Sequence, residues 1–109
     1  MAQATLKHGN PLMVDHTPSS AVSAGDVVVI DDVVAIAHLD TPANTLGALS
    51  YGPAVYTVTA DAAIVAGSTV YWNDTNNKVT ETSSGNKLFG KTVDAAAADG
   101  DLIDVVLTP

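Results

Sequence analysis

A strand–turn–strand segment at residues 67–82 constrains the fold of this chain more than any other stretch. Residues 70–72 are Val, Tyr and Trp, and β-branched and aromatic side chains suit a pleated, half-buried surface. Residues 73–77 mostly tolerate left-handed backbone and bond their own main chain, so they predict a turn. Residues 78–82 then alternate between the two faces of a second strand. We expect Trp72, the only tryptophan, to anchor the core because its ring is the largest apolar group available.

A second hairpin is predicted at residues 27–39. Residues 27–30 form a continuous β-branched run, which is typical of a strand covered on both faces. Asp31 and Asp32 tolerate turn conformations, and another apolar run comes after them, so the pattern predicts a tight reversal. Further strands are predicted at residues 46–51, 54–59, 88–93 and 102–107.

Many short strands at turn-limited intervals indicate an all-β fold, a small antiparallel barrel or sandwich. Residues 61–66 and 94–98 allow at most one or two helical turns. In the last strand, the alternation places Ile103, Val105 and Leu107 on one face. The expected core anchors are Val28, Ile36, Tyr56, Val70, Trp72, Phe89 and Val105.

Residues 1–22 are loosely patterned, with short apolar runs separated by turn and loop signals. Two interpretations stand side by side. The segment is either an extended arm that becomes ordered against a partner, or an ordinary edge strand with a loop after it. We take 1–22 as an N-terminal arm and 23–109 as a single β-rich domain.

Charge and composition exclude several classes of function. The net charge is −8, and four lysines are the only Lys or Arg residues, which argues against binding nucleic acid or an anionic membrane. Cysteine is absent, so disulfides, thiolate metal sites and Cys nucleophiles are excluded. The start of the sequence lacks the features of a signal peptide, and no apolar run approaches the ~20 residues of a membrane span. These features predict synthesis and folding in a cytoplasm.

One motif matches a phosphate-binding loop letter for letter. Residues 85–92 satisfy the pattern G-x-x-x-x-G-K-[ST]. That chemistry needs a buried strand before the loop and a long helix after it. Residues 78–82 are polar, however, and the C-terminal residues after the motif are too few for a parallel sheet with its crossovers. Leu88 and Phe89 resemble core residues inside the supposed loop. A turn that leads into a strand is the favoured interpretation.

Other candidate sites are weaker still. His8, His16 and His38 lack metal-ligand spacing, and His38 alternates with Ile36 as a sheet-face residue would. The acidic pairs have too few oxygen ligands for a calcium loop, and no nucleophile turn accompanies the serines. We therefore predict no cofactor, no metal and no enzymatic activity. The sequence does not decide whether the Asp104 side chain points into a shared interface or lies on a solvated face.

The chain resembles the small decoration, or cement, proteins of tailed-phage capsids, a family once described as a domain of unknown function and sometimes mislabelled as phage recombinases. The resemblance lies in residues 24–28, 34–37 with Asp40, 46–47, 54–58, 65–67, 70–73, 79–80, 85–86, 88–90 and 100–101. The V-Y-W-N segment with G-N-x-x-x-G after it is the most specific part. Members commonly lack Lys91 and Thr92, which favours chance as the origin of the phosphate-loop match.

The resemblance implies a structural virion protein that forms oligomers, most simply homotrimers. It would dock on the outer capsid surface at junctions of the major capsid protein and stabilise the head there. It implies the virion as location and the bacterial host cytoplasm as the place of synthesis. The expected contact residues in the N-terminal arm are Thr5, Leu6, Lys7, His8, Leu12 and Val14.

The alternative function is a small binding module for carbohydrate or peptide. Trp72, Tyr71 and Tyr56 would then form an exposed stacking platform. The competing interpretation of the same three rings is plain core, which we favour. Exposure of these rings in the folded chain distinguishes the two.

Overall fold

The computed structural model describes residues 3–108, and within this range the chain forms ten β-strands and no helix. The strands are β1 (Ala4–His8), β2 (Met13–His16), β3 (Val27–Ile30), β4 (Val33–Ala37), β5 (Gly47–Ser50), β6 (Val55–Thr59), β7 (Thr69–Asn73), β8 (Lys78–Thr80), β9 (Lys87–Thr92) and β10 (Leu102–Leu107). The all-β prediction is confirmed.

Two antiparallel sheets pack as a sandwich. The six-stranded sheet has the order β1-β6-β10-β9-β7-β8, and the four-stranded sheet has the order β2-β5-β4-β3. The larger sheet curls until β8 meets the end of β6 in one isolated bridge, between Ala60 and Val79. A single bridge does not close a barrel, so of the two predicted architectures the sandwich is the one formed.

The segment at residues 67–82 forms the predicted strand, turn and strand, but the second strand ends at Thr80 and not at residue 82, and Val79 and Thr80 are both buried, so the predicted alternation does not hold there. Trp72 pairs with Val79 across β7 and β8. The Asn73 side-chain oxygen accepts the backbone N–H groups of Thr75 and Asn76 at 2.9 and 3.1 Å, and Asn77 is left-handed with φ 57°. Asparagine caps this turn because its side chain substitutes for a main-chain acceptor.

The β3–β4 hairpin is also confirmed. Ile30 pairs with Val33, which leaves Asp31 and Asp32 as a two-residue loop. Asp31 has φ 52°, a left-handed conformation that aspartate tolerates better than most residues.

The main core lies between the sheets. Six of the expected anchors are buried in it: Ile36, Tyr56, Val70, Trp72, Phe89 and Val105. Ile103 and Leu107 join Val105 on the buried face of β10, as the alternation predicts.

Val28 is the exception among the expected anchors. It is half-buried and faces away from the main core, packing on a smaller group that we call the outer cluster. The residues at its centre are Ala35, Ala37 and Leu49. Side chains alternate along β3, so Val27 takes the main-core position and its neighbour Val28 cannot.

The helical turn that residues 61–66 allowed does not form. Ile64 instead makes an antiparallel bridge to Ala96, with N–O distances of 3.0 and 2.9 Å. This bridge buries the Ile64 side chain and satisfies backbone groups of both loops, which a free helical turn would not do.

The N-terminal segment supplies one edge strand to each sheet. β1 pairs with β6 and β2 pairs with β5. The folded single chain therefore shows the edge-strand form of the two interpretations, while the domain boundary at residue 22 stays a prediction.

Candidate functional site

The expected contact residues lie on β1, on β2 and in the link between them. Thr5, Lys7 and His8 are exposed, as are Leu6 at 38% and Leu12 at 65%. Two large apolar side chains are thus solvent-accessible next to unpaired strand edges. Exposed edges and apolar side chains together are features of protein–protein contact.

Val14 does not share this exposure. It pairs with Leu49 across β2 and β5 and packs on the outer cluster. The side chain therefore stabilises the sandwich and is half-buried. Its neighbour Met13, which the sequence analysis did not select, is 45% exposed on the same strand. The short apolar run at residues 12–14 indicated exposed contact side chains on this strand. Only the strand register shows that Val14 packs on the outer cluster while Met13 faces solvent.

β1 is tied to the sheet by an ion pair that spans a strand. The Lys7 ammonium lies 2.5 Å from a carboxylate oxygen of Asp104 on β10, on the far side of β6. Thr57 of β6 donates its hydroxyl to the other Asp104 oxygen at 2.8 Å. Asp104 is buried by these partners, so of the two positions that the sequence left open the solvated face is wrong.

The pair shifts the proton affinity of both groups. The hydrogen bond from Lys7 lowers the pKa of Asp104 below its usual value, and the Thr57 hydroxyl acts in the same direction. The Asp104 carboxylate raises the pKa of Lys7 through the same hydrogen bond and through its charge. Both shifts favour the charged pair.

The start of β1 is also tied to the smaller sheet. The backbone N–H groups of Gln3 and Ala4 donate to the Gly25 carbonyl at 3.0 and 2.9 Å. The Gln3 side chain accepts the N–H of Val27 at 2.8 Å. Beside these contacts, Leu6 and His38 help to line an open groove of about 360 Å³.

A buried hydroxyl joins the two sheets. The Tyr56 Oη on β6 lies 2.9 Å from His38 Nε2 and also bonds the Ser50 Oγ at the end of β5. Tyr56 and Ser50 are fully buried, and burial raises the pKa of the Tyr56 phenol. This is a structural hydrogen-bond network inside the sandwich. It places His38 against the tyrosine ring edge-on, at 5.9 Å between ring centres.

The aromatic platform of the alternative function is not exposed. Trp72 is 1% exposed, Tyr56 is fully buried, and Tyr71 is half-buried. Trp72 packs against Phe89 with ring centres 6.0 Å apart, and its indole N–H donates to Asp74 at 3.1 Å. Trp72 and Tyr56 are core residues, as the favoured interpretation of the sequence expected, whereas Tyr71 is only half-buried and lies outside the core.

The phosphate-loop motif forms a strand. Residues 87–92 are β9, and of the two expected core residues inside the motif Phe89 is buried whereas Leu88 is 42% exposed. A side chain at Gly90 would place its Cβ 1.7 Å from the Val106 carbonyl oxygen, so the glycine serves close packing of β9 on β10. Within residues 3–108, no group of three His, Asp or Glu side chains is arranged to hold a metal ion.

Comparison with known proteins identifies the family. The profile described as phage cement protein matches residues 6–107. The chain belongs to the phage cement protein family. No curated protein sequence matches it. Among solved structures, the N-terminal base of head fibre gp8.5 from bacteriophage phi29 is similar, with 21% identity and a TM-score of 0.50.

That likeness covers 89% of this chain and 95% of the phage chain, and at this identity it supports the fold alone. As a phage cement protein, the chain is a structural, capsid-associated component of the virion and is not an enzyme. The described part of the chain also holds no helix with the length and apolar character to cross a membrane.

Proposed function

We propose that this phage cement protein docks as a homotrimer on the outer surface of a tailed-phage capsid and stabilises junctions between major capsid protein subunits. Family membership supplies the capsid association. The observation that carries the docking site is the pair of N-terminal edge strands, which present Leu6 and Leu12 to solvent beside unpaired backbone.

Two physical contributions would hold the protein to the capsid. Burial of exposed apolar side chains supplies the first, and addition of a strand across the protein–capsid boundary supplies the second. A trimer multiplies both contributions, because once one subunit binds, the others bind at a high effective concentration. Modest contact by each chain then gives tight attachment of the whole.

The charge distribution fits a protein partner. Three of the four lysines make ion pairs inside the chain: Lys7 with Asp104, Lys78 with Asp99 and Lys87 with Asp32. Few cations remain free to neutralise phosphates, so we expect neither nucleic acid nor membrane as a partner. We also infer synthesis in the host cytoplasm, where the acidic surface would favour solubility of the free protein before it docks.

The test is co-sedimentation with heads assembled without this protein, combined with mass measurement of the free protein in solution. We expect saturable binding and a mass of three 11.1 kDa chains. Leu12→Asp should weaken binding by about tenfold or more because it places a charge in an apolar contact. Leu102→Asp, at a leucine of similar exposure (60%) on β10, is the matched control and should bind as the wild type does.

Failure of the wild-type protein to sediment with heads would rule out the docking proposal. A monomeric or dimeric mass would rule out the trimer but leave docking intact. Equal loss of binding in Leu12→Asp and Leu102→Asp would show that the capsid contact is not specific to the N-terminal strands.

A further inference from the structure

We propose that the free edge of β2, and not that of β1, accepts an extended, basic segment of a capsid subunit as a fifth strand of the smaller sheet. This inference rests on the proposed docking function and specifies the partner chemistry. It concerns the backbone edge at Met13–His16, which the sequence analysis did not separate from β1.

β1 carries the features by which proteins protect an edge from pairing. Its register shifts between Leu6 and His8, so the strand is bulged. Lys7 lies within the irregular part, and bulges and lysines both disfavour addition of another strand. The N–H of Ala4, which points away from β6, is already taken by Gly25. Little regular edge remains for a partner.

Two other edges are also occupied or short. At β3 the N–H of Val27 is used by the Gln3 side chain. β8 has three residues, and its Val79 carbonyl accepts the N–H of Asp61 from the loop after β6. Neither offers a continuous row of free backbone groups.

β2 is regular and lacks these protections. Its four residues pair with β5 without a register shift, and the strand contains no lysine or proline. The N–H of Tyr51 donates to the Leu12 carbonyl at 2.7 Å, which fixes the hydrogen-bonding phase. Because this phase alternates in antiparallel pairs, Val14 and His16 bond inward, while Met13 and Asp15 direct N–H and C=O groups outward. No hydrogen bond within residues 3–108 uses those outward groups.

The charge around β2 selects the occupant. Residues 9–54, which contain the whole four-stranded sheet, carry five aspartates and neither lysine nor arginine: Asp15, Asp26, Asp31, Asp32 and Asp40. A second copy of this sheet would bring like charges together, most closely at Asp15. An extended segment with Lys or Arg would instead gain attraction from Asp15 at the contact and from the acidic half as a whole.

The experiment compares two proline substitutions at outward-facing amides. Asp15→Pro removes an outward donor on β2 and leaves the ladder to β5 intact, since proline is tolerated where the N–H faces solvent. Leu6→Pro is the matched change on β1. In co-sedimentation with heads, we expect Asp15→Pro to reduce affinity by about tenfold or more, and Leu6→Pro to reduce it no further than Leu6→Ala, which removes the same leucine side chain but keeps the N–H. Asp15→Asn, which keeps the backbone, should reduce affinity by a few-fold at low salt, with the difference shrinking as salt rises.

Hydrogen exchange of the wild-type protein provides a readout that does not depend on variants folding. The amides of Met13 and Asp15 should exchange fast in the free protein and slowly on heads, whereas those of β1 should change little. Slowed exchange confined to β1, or binding lost only in Leu6→Pro, would overturn the inference and leave docking standing. A fall in solution mass for Asp15→Pro would assign the edge to a second copy and also overturn it. Absence of wild-type binding would instead defeat the docking function itself.

Discussion

Tyr56 shows how one polar atom fixes the relation of two sheets. Its hydroxyl is buried, and it contacts Ser50 at the end of β5 in the opposite sheet and His38 directly after β4. Buried polar groups stabilise a fold only when their hydrogen bonds are made. The residue therefore contributes a ring to the core and a specific contact between layers.

Tyr56→Phe should destabilise the protein by about 1–3 kcal/mol, because Ser50 then keeps a buried hydroxyl without its partner. The free energy of unfolding in urea measures this. Tyr71→Phe, at a half-buried tyrosine on β7, is the control and should change stability by less than about 0.5 kcal/mol.

The double variant Tyr56→Phe/Ser50→Ala tests the physical reason. It removes both polar partners, so its cost should be smaller than the sum of the two single costs. Strict additivity would show that the Tyr56 and Ser50 hydroxyls are not energetically coupled, and the cost of Tyr56→Phe would then belong to another contact of that hydroxyl, such as the one with His38.

At the scale of elements, β1 depends on contacts beyond its own strand pairing. Lys7 reaches across β6 to Asp104, and the N–H groups of Gln3 and Ala4 reach the other sheet at Gly25. Edge strands have partners on one side only, so side-chain ties of this kind decide how firmly they are held. β2 has no comparable tie within the described chain, which agrees with its proposed role as an acceptor edge.

The Lys7–Asp104 pair should make the attachment of β1 depend on pH. The pKa of Asp104 is lowered, so its contribution is complete above the ordinary carboxyl pKa of about 3.9 and is lost as pH falls through the lower, folded-state pKa. The pKa of Lys7 is raised, so its contribution is complete below about 10.4 and is lost as pH rises through the folded-state pKa.

Asp104→Asn tests this dependence through urea unfolding at a series of pH values. The variant should be less stable than wild type at pH 7. This difference in the free energy of unfolding should begin to shrink as the pH falls below about 3.9 and should vanish below the folded-state pKa of Asp104. Asp15→Asn, at an exposed aspartate, is the control and should track the wild-type curve. A gap that is constant from pH 7 to pH 2 would mean that packing of Asp104, and not its charge, supports β1.

At the scale of the whole molecule, the two sheets share one core. Val34 and Ile36 of the smaller sheet pack in the same group as Trp72, Phe89 and the other buried residues of the larger one. Neither sheet can lose its partner without exposing this surface. A small domain with one core is expected to unfold cooperatively.

Trp72 fluorescence and far-UV circular dichroism should therefore report the same urea midpoint. The buried indole should also resist quenching by iodide in the folded state, in contrast to free tryptophan. Two separate urea transitions would contradict a shared core. Strong iodide quenching would show that Trp72 is exposed and would favour the carbohydrate-binding alternative. Neither ATP nor an oligosaccharide should raise the melting temperature.

The sequence by itself determined the local elements. The asparagine-rich turn before Lys78 and the Asp31–Asp32 reversal were readable because turn chemistry acts over two to five residues. The alternation at Ile103, Val105 and Leu107 was readable for the same reason, since it records which face of one strand is apolar. Family resemblance then supplied the capsid role, which no residue chemistry alone would have given.

Only the tertiary structure decided which strands are neighbours. Lys7 and Asp104 are 97 residues apart in sequence, and nothing local to either one indicates the other. Val28 and Val27 look alike in sequence, yet the sheet order and register send Val28 to the outer cluster. The edge position of β2 and the outward phase of Asp15 result in the same way from pairing with β5. Such features depend on pairing between strands that are far apart in the sequence. The free energy of that pairing depends on both strands together, so neither strand's sequence predicts it alone.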